Sequence, residues 1–316
     1  MELISVVITT HNRDKELKRA IQSVLNQTYK HIELIVIDDN STASTQRVVS
    51  EFKNVIKYHI SHSNGLCSSR NKGIELSNGE FIVFLDDDDV LKKDSIEKRR
   101  NLFLGLDDKV KSQTAIIYSG CSILLKKEKR ITFNSPNIKG CMFKSLSNGV
   151  IKTIPSTFFL NKKVLVENEI KFDETFTSFV DHDFFLQLAR KKLHMYAVNE
   201  PLTETYIFSS KDSMVNDIDK RLINLNRLLY KWASLFQLAM NNKKRKQFLS
   251  IYISKEYSNL LFTSIVRKNS TYLTRVLIEM SQVKEVKLSV FFRTFKILVF
   301  RIFRAFVPGP VMKFLR

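Results

Sequence analysis

Cysteine is scarce in this sequence, and glycine and proline are scarce as well. The three cysteines, Cys67, Cys121 and Cys141, are far apart, and no two of them form a CxxC pair. An odd number of widely spaced cysteines suggests neither a disulfide framework nor a zinc site, and it fits a reducing compartment. With only 8 glycines and 5 prolines in 316 residues, long low-complexity linkers are not expected.

Long apolar runs are also missing. No uninterrupted run reaches the roughly 18 residues that a membrane-spanning helix requires. The first residues, Met1–Ser5, lead directly into an apolar segment without a basic stretch or a cleavage motif. We therefore expect neither a spanning helix nor a signal peptide.

Acidic residues are outnumbered, because 32 aspartates and glutamates face 51 lysines and arginines, which gives a formal net charge of +19. Such an excess predicts an anionic partner, which is nucleic acid, an anionic membrane surface or a phosphorylated substrate. Hydrophobic residues make up 44% of the sequence, as in globular proteins. The length allows one large domain or two.

The first ninety residues alternate between short apolar runs and segments with helical periodicity. The runs are rich in β-branched residues, and they are Leu3–Thr9, Ile32–Ile37, Val55–Ile60 and Phe81–Leu85. They predict buried strands, and the alternation predicts βαβ units in a mostly parallel sheet. Ala115–Tyr118, Cys121–Leu125 and Pro201–Phe208 predict further strands. In such sheets, ligands bind at the carboxyl ends of the strands.

The most unusual stretch follows the fourth run, where four aspartates, Asp86–Asp89, are adjacent. A buried strand cannot carry unpaired anions into the core, so these acids are expected in a cleft at the strand's end. A divalent cation such as Mg²⁺ or Mn²⁺ would compensate them, since hard cations bind carboxylate and phosphate oxygens together. A surface acidic turn that caps a helix starting near Lys92 is the alternative. Thr9–Thr10 and Asp38–Asp39 end two other strands, and this convergence suits a sugar nucleotide, although turn and cap roles are the alternative for them.

Four segments together resemble the landmarks of family 2 glycosyltransferases with the GT-A fold. In chain order they are Ser5–Arg13, Val36–Ser41, Arg70–Gly73 and Phe84–Asp89. Their order and spacing match those of the family, and the resemblance extends over roughly residues 3–210. It implies an α/β fold of the GT-A type, the Rossmann-like mixed sheet of nucleotide-diphospho-sugar transferases.

The resemblance implies that three residues hold the base and the ribose of the nucleotide: Thr9, Asp39 and Arg70. The segment Ser209–Ser213 resembles the mobile loop that closes over the diphosphate in relatives. Lys211 in this loop would pair with phosphate, and a plain surface lysine is the alternative.

The resemblance also implies that Asp86 and Asp88 form the DxD pair. They would contact the ribose and ligate a Mn²⁺ or Mg²⁺ ion that bridges the diphosphate. The chemistry agrees, because the leaving nucleoside diphosphate develops charge that a metal ion stabilises. Asp87 and Asp89 would assist these two residues in binding the donor. The alternative is that both are solvated acids of a surface turn.

The family's catalytic base lies at the start of a helix, in a Glu-Asp-x-Asp-like motif. Asp181 falls on that position, Val180 replaces the usual Glu, and Asp183 is the alternative base. A base is needed because the acceptor hydroxyl loses its proton as it attacks the anomeric carbon. The resemblance implies inversion at that carbon by direct displacement. A helix N-cap is the alternative role for the aspartate.

The C-terminal third has helical periodicity, in Ile218–Met240 and Phe248–Val266. A stripe in the first helix predicts packing in the core or in a homodimer; it comprises Leu222, Leu225, Leu228, Leu229, Trp232, Leu235 and Phe236. From Val286 to Arg316 the tail is basic and has an aromatic face, which is typical of an interfacial membrane helix. A terminal helix packed on the domain and a nucleic-acid arm are the alternatives.

These observations predict a GT-A catalytic domain over residues 1–212, a helical extension over 213–284 and a basic amphipathic membrane-associating tail over 285–316. The expected protein lies peripherally on the cytoplasmic face of the cell membrane, contacts its anionic surface and binds no nucleic acid.

The expected activity is the inverting, metal-dependent transfer of one sugar from a nucleotide-sugar donor. We expect a UDP-linked donor, and a glycan or polyprenyl-diphosphate-linked acceptor in capsule or O-antigen assembly. Gln187–Lys191 lacks the tryptophan of the QxxRW motif of processive members, which favours single addition. A nucleotidyltransferase would want a Gly-rich loop where Thr10–Arg13 has no glycine. A non-catalytic, nucleic-acid-binding protein would leave the acids at three strand ends unexplained.

Overall fold

A computed structural model describes residues 1–61, 65–125, 130–134, 138–147, 154–207, 217–266, 270–282 and 292–299. The chain forms two compact units, Met1–Ser210 and Lys211–Arg316. Lys211, and residues 285–291 and 300–316 of the predicted tail, lie outside the described residues. The domain boundaries at residues 212 and 284 stay predictions.

The first unit is built on one mixed sheet. Its described strands are Ile4–Thr10 (β1), Ile32–Asp38 (β2), Ile56–Ile60 (β3), Phe81–Asp86 (β4), Asp89–Leu91 (β5), Thr114–Leu125 (β6), Arg130–Asn134 (β7), Gly140–Cys141 (β8), Phe158–Asn161 (β9) and His194–Ile207 (β10). Their order is β3-β2-β1-β4-β9-β6-β10-β5, with β7 paired to β6 and β8 to β10.

The four strands predicted from the first ninety residues are confirmed, and all four run parallel. Beyond β4 the sheet changes direction, because β9 lies antiparallel to both β4 and β6. The two strands predicted within residues 115–125 are one continuous strand, β6. The predicted GT-A sheet, with parallel strands on one side and mixed pairing on the other, is therefore present.

Helices flank the strands of the first unit. They are Asp14–Leu25 (α1), Ala43–Ser50 (α2), Leu66–Leu76 (α3), Ser95–Leu104 (α4), Asp108–Lys111 (α5), Met142–Ser147 (α6), Lys162–Glu167 (α7) and Val180–Arg190 (α8), with a 3₁₀ turn at Pro155–Thr157. Strand β1 is buried along its whole length, as its continuous β-branched sequence requires. A Cβ at Gly73 would lie 2.4 Å from Val7 Cγ1, so only glycine lets α3 lie this close to β1.

The amino-terminal edge of the sheet is tied together by one carboxylate, Glu33 on β2. Its oxygens accept hydrogen bonds from Ser5 Oγ at 2.5 Å, Lys57 Nζ at 2.6 Å and the backbone N–H of Asn78 at 2.5 Å. These donors belong to β1, β3 and the turn before β4, so Glu33 links all four parallel strands.

The second unit is helical, with Ile218–Ala239 (α9), Asn242–Val266 (α10) and Ser270–Gln282 (α11), and residues 292–299 are also helical. Six members of the predicted stripe of α9 are buried, namely Leu222, Leu225, Leu228, Trp232, Leu235 and Phe236. The stripe therefore packs in the core of this unit. In the described parts of both units, no helix combines the length and the apolar character needed to cross a bilayer.

Candidate active site

The carboxyl ends of the parallel strands bring the predicted polar residues to one edge. In the strand register, Thr10 on β1 lies opposite Asp38 on β2, and Thr9 lies opposite Asp86 on β4. Thr9 is buried. Since both neighbours of β1 are parallel to it, the residues after β1, β2 and β4 share the edge where ligands bind in such sheets.

A buried guanidinium is the centre of this edge. Arg70 on α3 has only 2% of its side chain exposed, and it donates to Asp86 Oδ1 at 2.7 Å and to Asp181 Oδ1 at 3.5 Å. The rings of Phe172 and Phe84 lie 5.3 and 6.0 Å from its guanidinium carbon. Burial alone would lower the pKa of Arg70, but Asp86 and Asp181 raise it. Arg70 is therefore a fixed cation between two carboxylates from separate parts of the chain.

Asp181 stands in the first turn of α8. The chain enters this helix through Phe179, whose φ of +60° is left-handed, a conformation that costs a non-glycine residue about 1–2 kcal/mol. Burial raises the pKa of Asp181 to about 6, although Arg70 acts in the opposite direction. A third of its side chain, 33%, remains exposed, so a ligand in solution has access to it.

Asp183, the alternative base, has a different environment. Its side chain is buried, and Oδ2 accepts a hydrogen bond from Gln187 Nε2 at 2.8 Å, one turn further along α8. Between the two aspartates, Asp181 is the one beside Arg70.

The middle pair of the four adjacent aspartates is held by the loop after β1. Arg13 Nη1 donates to Asp87 Oδ1 at 3.1 Å and to Asp88 Oδ2 at 2.5 Å. Thr10 Oγ1 donates to the other oxygen of Asp87 at 2.9 Å. Arg19 Nη2 donates to the backbone carbonyl of Asp88 at 2.9 Å. The alternative interpretation of Asp87 as a solvated turn acid is wrong, because this side chain is only 7% exposed.

Negative charge exceeds positive charge at this edge. Burial raises the pKa of Asp87 to about 7, with Arg13 and Thr10 acting against the rise. Burial and the neighbouring aspartates raise the pKa of Asp88 and of Asp89 as well. Asp89 is buried, and its Oδ1 finds no hydrogen-bond partner within the described part of the chain. A site of this kind favours a bound cation.

Asp86 and Asp88 have the chemistry of a divalent-cation site. Asp86 pairs with Arg70 through one carboxylate oxygen, and Asp88 pairs with Arg13 through one carboxylate oxygen. The two aspartate side chains are 31% and 27% exposed. Among the described residues, no three His, Cys, Asp or Glu side chains group to hold a metal by themselves. A two-carboxylate set fits Mg²⁺ or Mn²⁺ when substrate phosphates and water complete the coordination.

Asp39 lies at the same edge, after β2. Its Oδ2 accepts a hydrogen bond from the backbone N–H of Gly65 at 3.0 Å, just before α3, and burial raises its pKa. Its neighbour Asp38 is fully buried and accepts from Ser41 N at 2.8 Å and from the Tyr58 hydroxyl. Asp38 thus stabilises the turn, whereas Asp39 faces the loop that leads to Arg70.

Sequence reasoning missed three contributors to the site: Arg13, Thr10 as a partner of Asp87, and Ser156. The Ser156 hydroxyl accepts the backbone N–H of Asp86 at 3.1 Å. For Arg13 a signal existed, because a cation directly before a helix is unfavourable to the helix dipole and implies an outside partner. Nothing local to Ser156 pointed to Asp86, 70 residues away in the chain.

Known proteins resemble a large part of this chain. An uncharacterized glycosyltransferase of Rickettsia typhi is 30% identical over 198 residues, which cover 60% of this chain and 59% of that protein. The GalNAc(5)-diNAcBac-PP-undecaprenol beta-1,3-glucosyltransferase of Campylobacter jejuni is 32% identical over 184 residues, 56% of each chain. The chain thus spans somewhat more than half the length of these two relatives.

A solved structure has a fold similar to that of this chain. S. aureus TarS 1–349 in complex with UDP-GlcNAc superposes with a TM-score of 0.65 at 18% sequence identity, covering 92% of this chain and 83% of that one. The model of the family described as Glycosyl transferase family 2 matches residues 5–167, which is more than half of the chain. With its GT-A fold, the chain therefore belongs to glycosyl transferase family 2.

Proposed function

We propose that this protein transfers one sugar, with inversion, from a UDP-linked donor to a glycan or polyprenyl-diphosphate-linked acceptor, in a metal-dependent reaction. The observation that carries the proposal is the contact of Arg70 with both Asp86 and Asp181. One buried side chain thereby fixes the acid expected at the donor and the base expected at the acceptor. Such fixed geometry is the main requirement of a displacement between two bound substrates.

Asp181 acts as the general base in this proposal. It takes the proton of the acceptor hydroxyl as that oxygen attacks the anomeric carbon. Its raised pKa of about 6 makes it a stronger base than an ordinary aspartate, and it remains mostly ionised at neutral pH. Arg70 keeps the pKa of Asp181 from rising further, so the carboxylate is both more basic than usual and still charged at neutral pH.

Asp86 and Asp88 would hold Mn²⁺ or Mg²⁺ through their remaining oxygens. When bound, the ion supplies a Lewis acid for the leaving diphosphate. Ser156 orients the backbone of Asp86 by accepting its N–H. Asp39 and Thr9 are proposed to bind the nucleoside, Asp87 to assist through its hold on Arg13, and Lys211 to pair with phosphate.

Two relatives support the substrate classes. TarS, which shares the fold, has been solved with UDP-GlcNAc, and this favours a UDP-linked donor. The name of the Campylobacter jejuni relative states an undecaprenol-diphosphate-linked acceptor, and this favours a lipid-linked acceptor here. Capsule or O-antigen assembly on the cytoplasmic face of the membrane is the setting that we propose.

The outer face of α9 supports an anionic membrane surface as a partner. Ile223, Tyr230 and Leu238 are 52%, 89% and 77% exposed, and they fall within an arc of about 80° on the helix. Lys220, Arg227 and Lys231 lie on the same side, and residues 220–247 contain no acid. Exposed apolar groups among cations suit the boundary between lipid tails and anionic headgroups. A second copy of the same face would repel this one.

Product analysis tests the proposal. The full chain is incubated with Mn²⁺, a panel of UDP-sugars that includes UDP-GlcNAc, and an undecaprenyl-diphosphate-linked sugar. We expect the acceptor to gain the mass of one sugar in inverted configuration. Folded protein that transfers none of these sugars, or that retains the configuration, would contradict it.

A further inference from the structure

Arg13 and Arg70 hold the acids of the donor edge in different ways. Arg70 is buried and has 2% of its side chain exposed, whereas Arg13 is 41% exposed. Arg70 cannot leave its carboxylates without opening the core between Phe84 and Phe172. Arg13 sits in the loop before α1 and can reorient into solvent.

The two aspartates that Arg13 contacts are also unequal. Asp87 has both oxygens engaged, one by Thr10 and one by Arg13, and is 7% exposed. Asp88 is 27% exposed, and Arg13 engages only its Oδ2. Asp87 is thus built to retain Arg13, while Asp88 is open to a second ligand.

We propose that Arg13 is a displaceable counter-ion, tethered by Asp87, which occupies Asp88 until a divalent cation and a diphosphate arrive, and which then turns to the diphosphate. This inference rests on the proposed function, because it requires a nucleoside diphosphate at this edge. It gives Arg13 two successive anionic partners within reach of the same tether.

Charge balance is the physical reason. Without a bound cation, Arg13 and Arg70 are the side chains that form ion pairs with the carboxylates of Asp86, Asp87, Asp88 and Asp181 within the described residues. A divalent ion at Asp88 would face the guanidinium a few ångströms away, and like charges at that distance repel strongly in a partly buried site. Movement of Arg13 onto the incoming phosphates removes this repulsion and adds a charge-assisted hydrogen bond. Arg13 therefore makes metal binding depend on the donor.

Binding of Mn²⁺ to the full chain, followed by electron paramagnetic resonance without any nucleotide, tests the proposal. Arg13→Gln removes the competing charge, and it is expected to tighten Mn²⁺ binding by about tenfold or more. Lys18→Gln is the matched control, since Lys18 lies on α1 and pairs with Glu51 instead; it leaves the affinity unchanged. Arg13→Lys keeps the charge but not the two-carboxylate reach, and is expected to fall between.

The same titrations with UDP complete the test. UDP is expected to strengthen Mn²⁺ binding in the wild type much more than in Arg13→Gln, which also loses about tenfold in UDP affinity. Equal nucleotide-free Mn²⁺ affinity in the wild type, Arg13→Gln and Arg13→Lys would overturn the proposal. So would the absence of Mn²⁺ binding in all of them, and UDP binding that persists in that case would leave the proposed donor site standing.

Discussion

Carboxylates lie at both edges of the parallel strands, and the two edges treat them in opposite ways. At the amino-terminal edge, burial of Glu33 is outweighed by hydrogen bonds from Lys57, Ser5 and Asn78, which lower its pKa to about 2. At the carboxyl-terminal edge, burial outweighs the available donors and raises the pKa of Asp87 to about 7.

The difference separates a structural carboxylate from the carboxylates that we propose to bind ligands. Glu33 has its charge satisfied within the fold, so its ionisation stabilises the folded state. Asp86–Asp89 and Asp181 are compensated only in part, by Arg13 and Arg70. Such deficits cost stability, and proteins retain them where a substrate or cofactor completes the charge balance.

The largest expected effect comes from neutralising the proposed base. Asp181→Asn should lower kcat by more than about 100-fold, since a positioned general base contributes about 10²–10⁴, while affinity for UDP is kept. Steady-state turnover and UDP titration measure the two effects. Asp183→Asn, two residues further along α8, is the control and should keep most of the activity. Wild-type turnover in Asp181→Asn would remove the assignment.

At the opposite edge, Glu33→Gln should reduce the free energy of unfolding by about 2 kcal/mol at pH 7. The folded-state pKa of Glu33 is depressed, so its contribution is fully present above about pH 4.5 and is lost as the pH falls towards 2. Urea unfolding measured from pH 7 down to pH 3 follows this loss. Glu75→Gln, at an exposed pair with Lys72, is the control. Loss of UDP binding in folded Glu33→Gln would contradict the assignment of a purely structural role to Glu33.

The pH dependence of kcat tests the carboxylates of the carboxyl-terminal edge. With Asp181 as the base and a pKa of about 6, kcat should fall about tenfold per unit below pH 6, because the protonated acid cannot accept the hydroxyl proton. A profile that stays flat down to pH 4.5 would mean that the titrating base is an ordinary exposed carboxylate. Unfolding measured at the same pH values separates this loss from denaturation.

The smallest effect concerns the second unit, where cations are in excess. Arg227→Gln on the outer face of α9 should weaken binding to anionic liposomes about fivefold, since each cation near such a surface contributes about 1 kcal/mol. Lys98→Gln in the first unit, where Lys98 pairs with Asp94 and Glu200, is the control. Sedimentation with anionic and with neutral vesicles measures the effect. A chain cut after Lys284 should also bind less, and unchanged binding would refute the proposed tail.

The fold was predictable because its first half follows local rules. Continuous β-branched runs such as Ile4–Thr10 have one good environment, a strand buried on both faces. Ser119 and Gly120 interrupt the apolar pattern of β6, so the sequence predicted two strands where there is one. The pairing with β9 and β10 that makes the strand continuous is not encoded in its own residues. Element types follow from local pattern, whereas strand continuity depends on distant partners.

The sequence named residues that the structure brings to one edge, but it did not predict most of their contacts. Asp86 and Asp181 were identified by resemblance, but their shared contact with Arg70 was not. Asp86 lies 16 positions and Asp181 lies 111 positions from Arg70 along the chain. No periodicity carries such information. The position of Arg13 directly before α1 implied an outside partner, but it could not identify Asp87 and Asp88, which lie more than 70 residues away.

Thermal unfolding of the full chain with UDP, GDP or a CMP derivative, each with and without Mn²⁺, tests most directly that the carboxyl edge is a donor site. A ligand at about 100 times its Kd adds about 2.7 kcal/mol to the free energy of unfolding. We predict a rise in Tm with UDP that requires Mn²⁺ and that disappears in Asp88→Asn. Folded protein whose Tm no nucleotide changes, with or without Mn²⁺, would contradict the account.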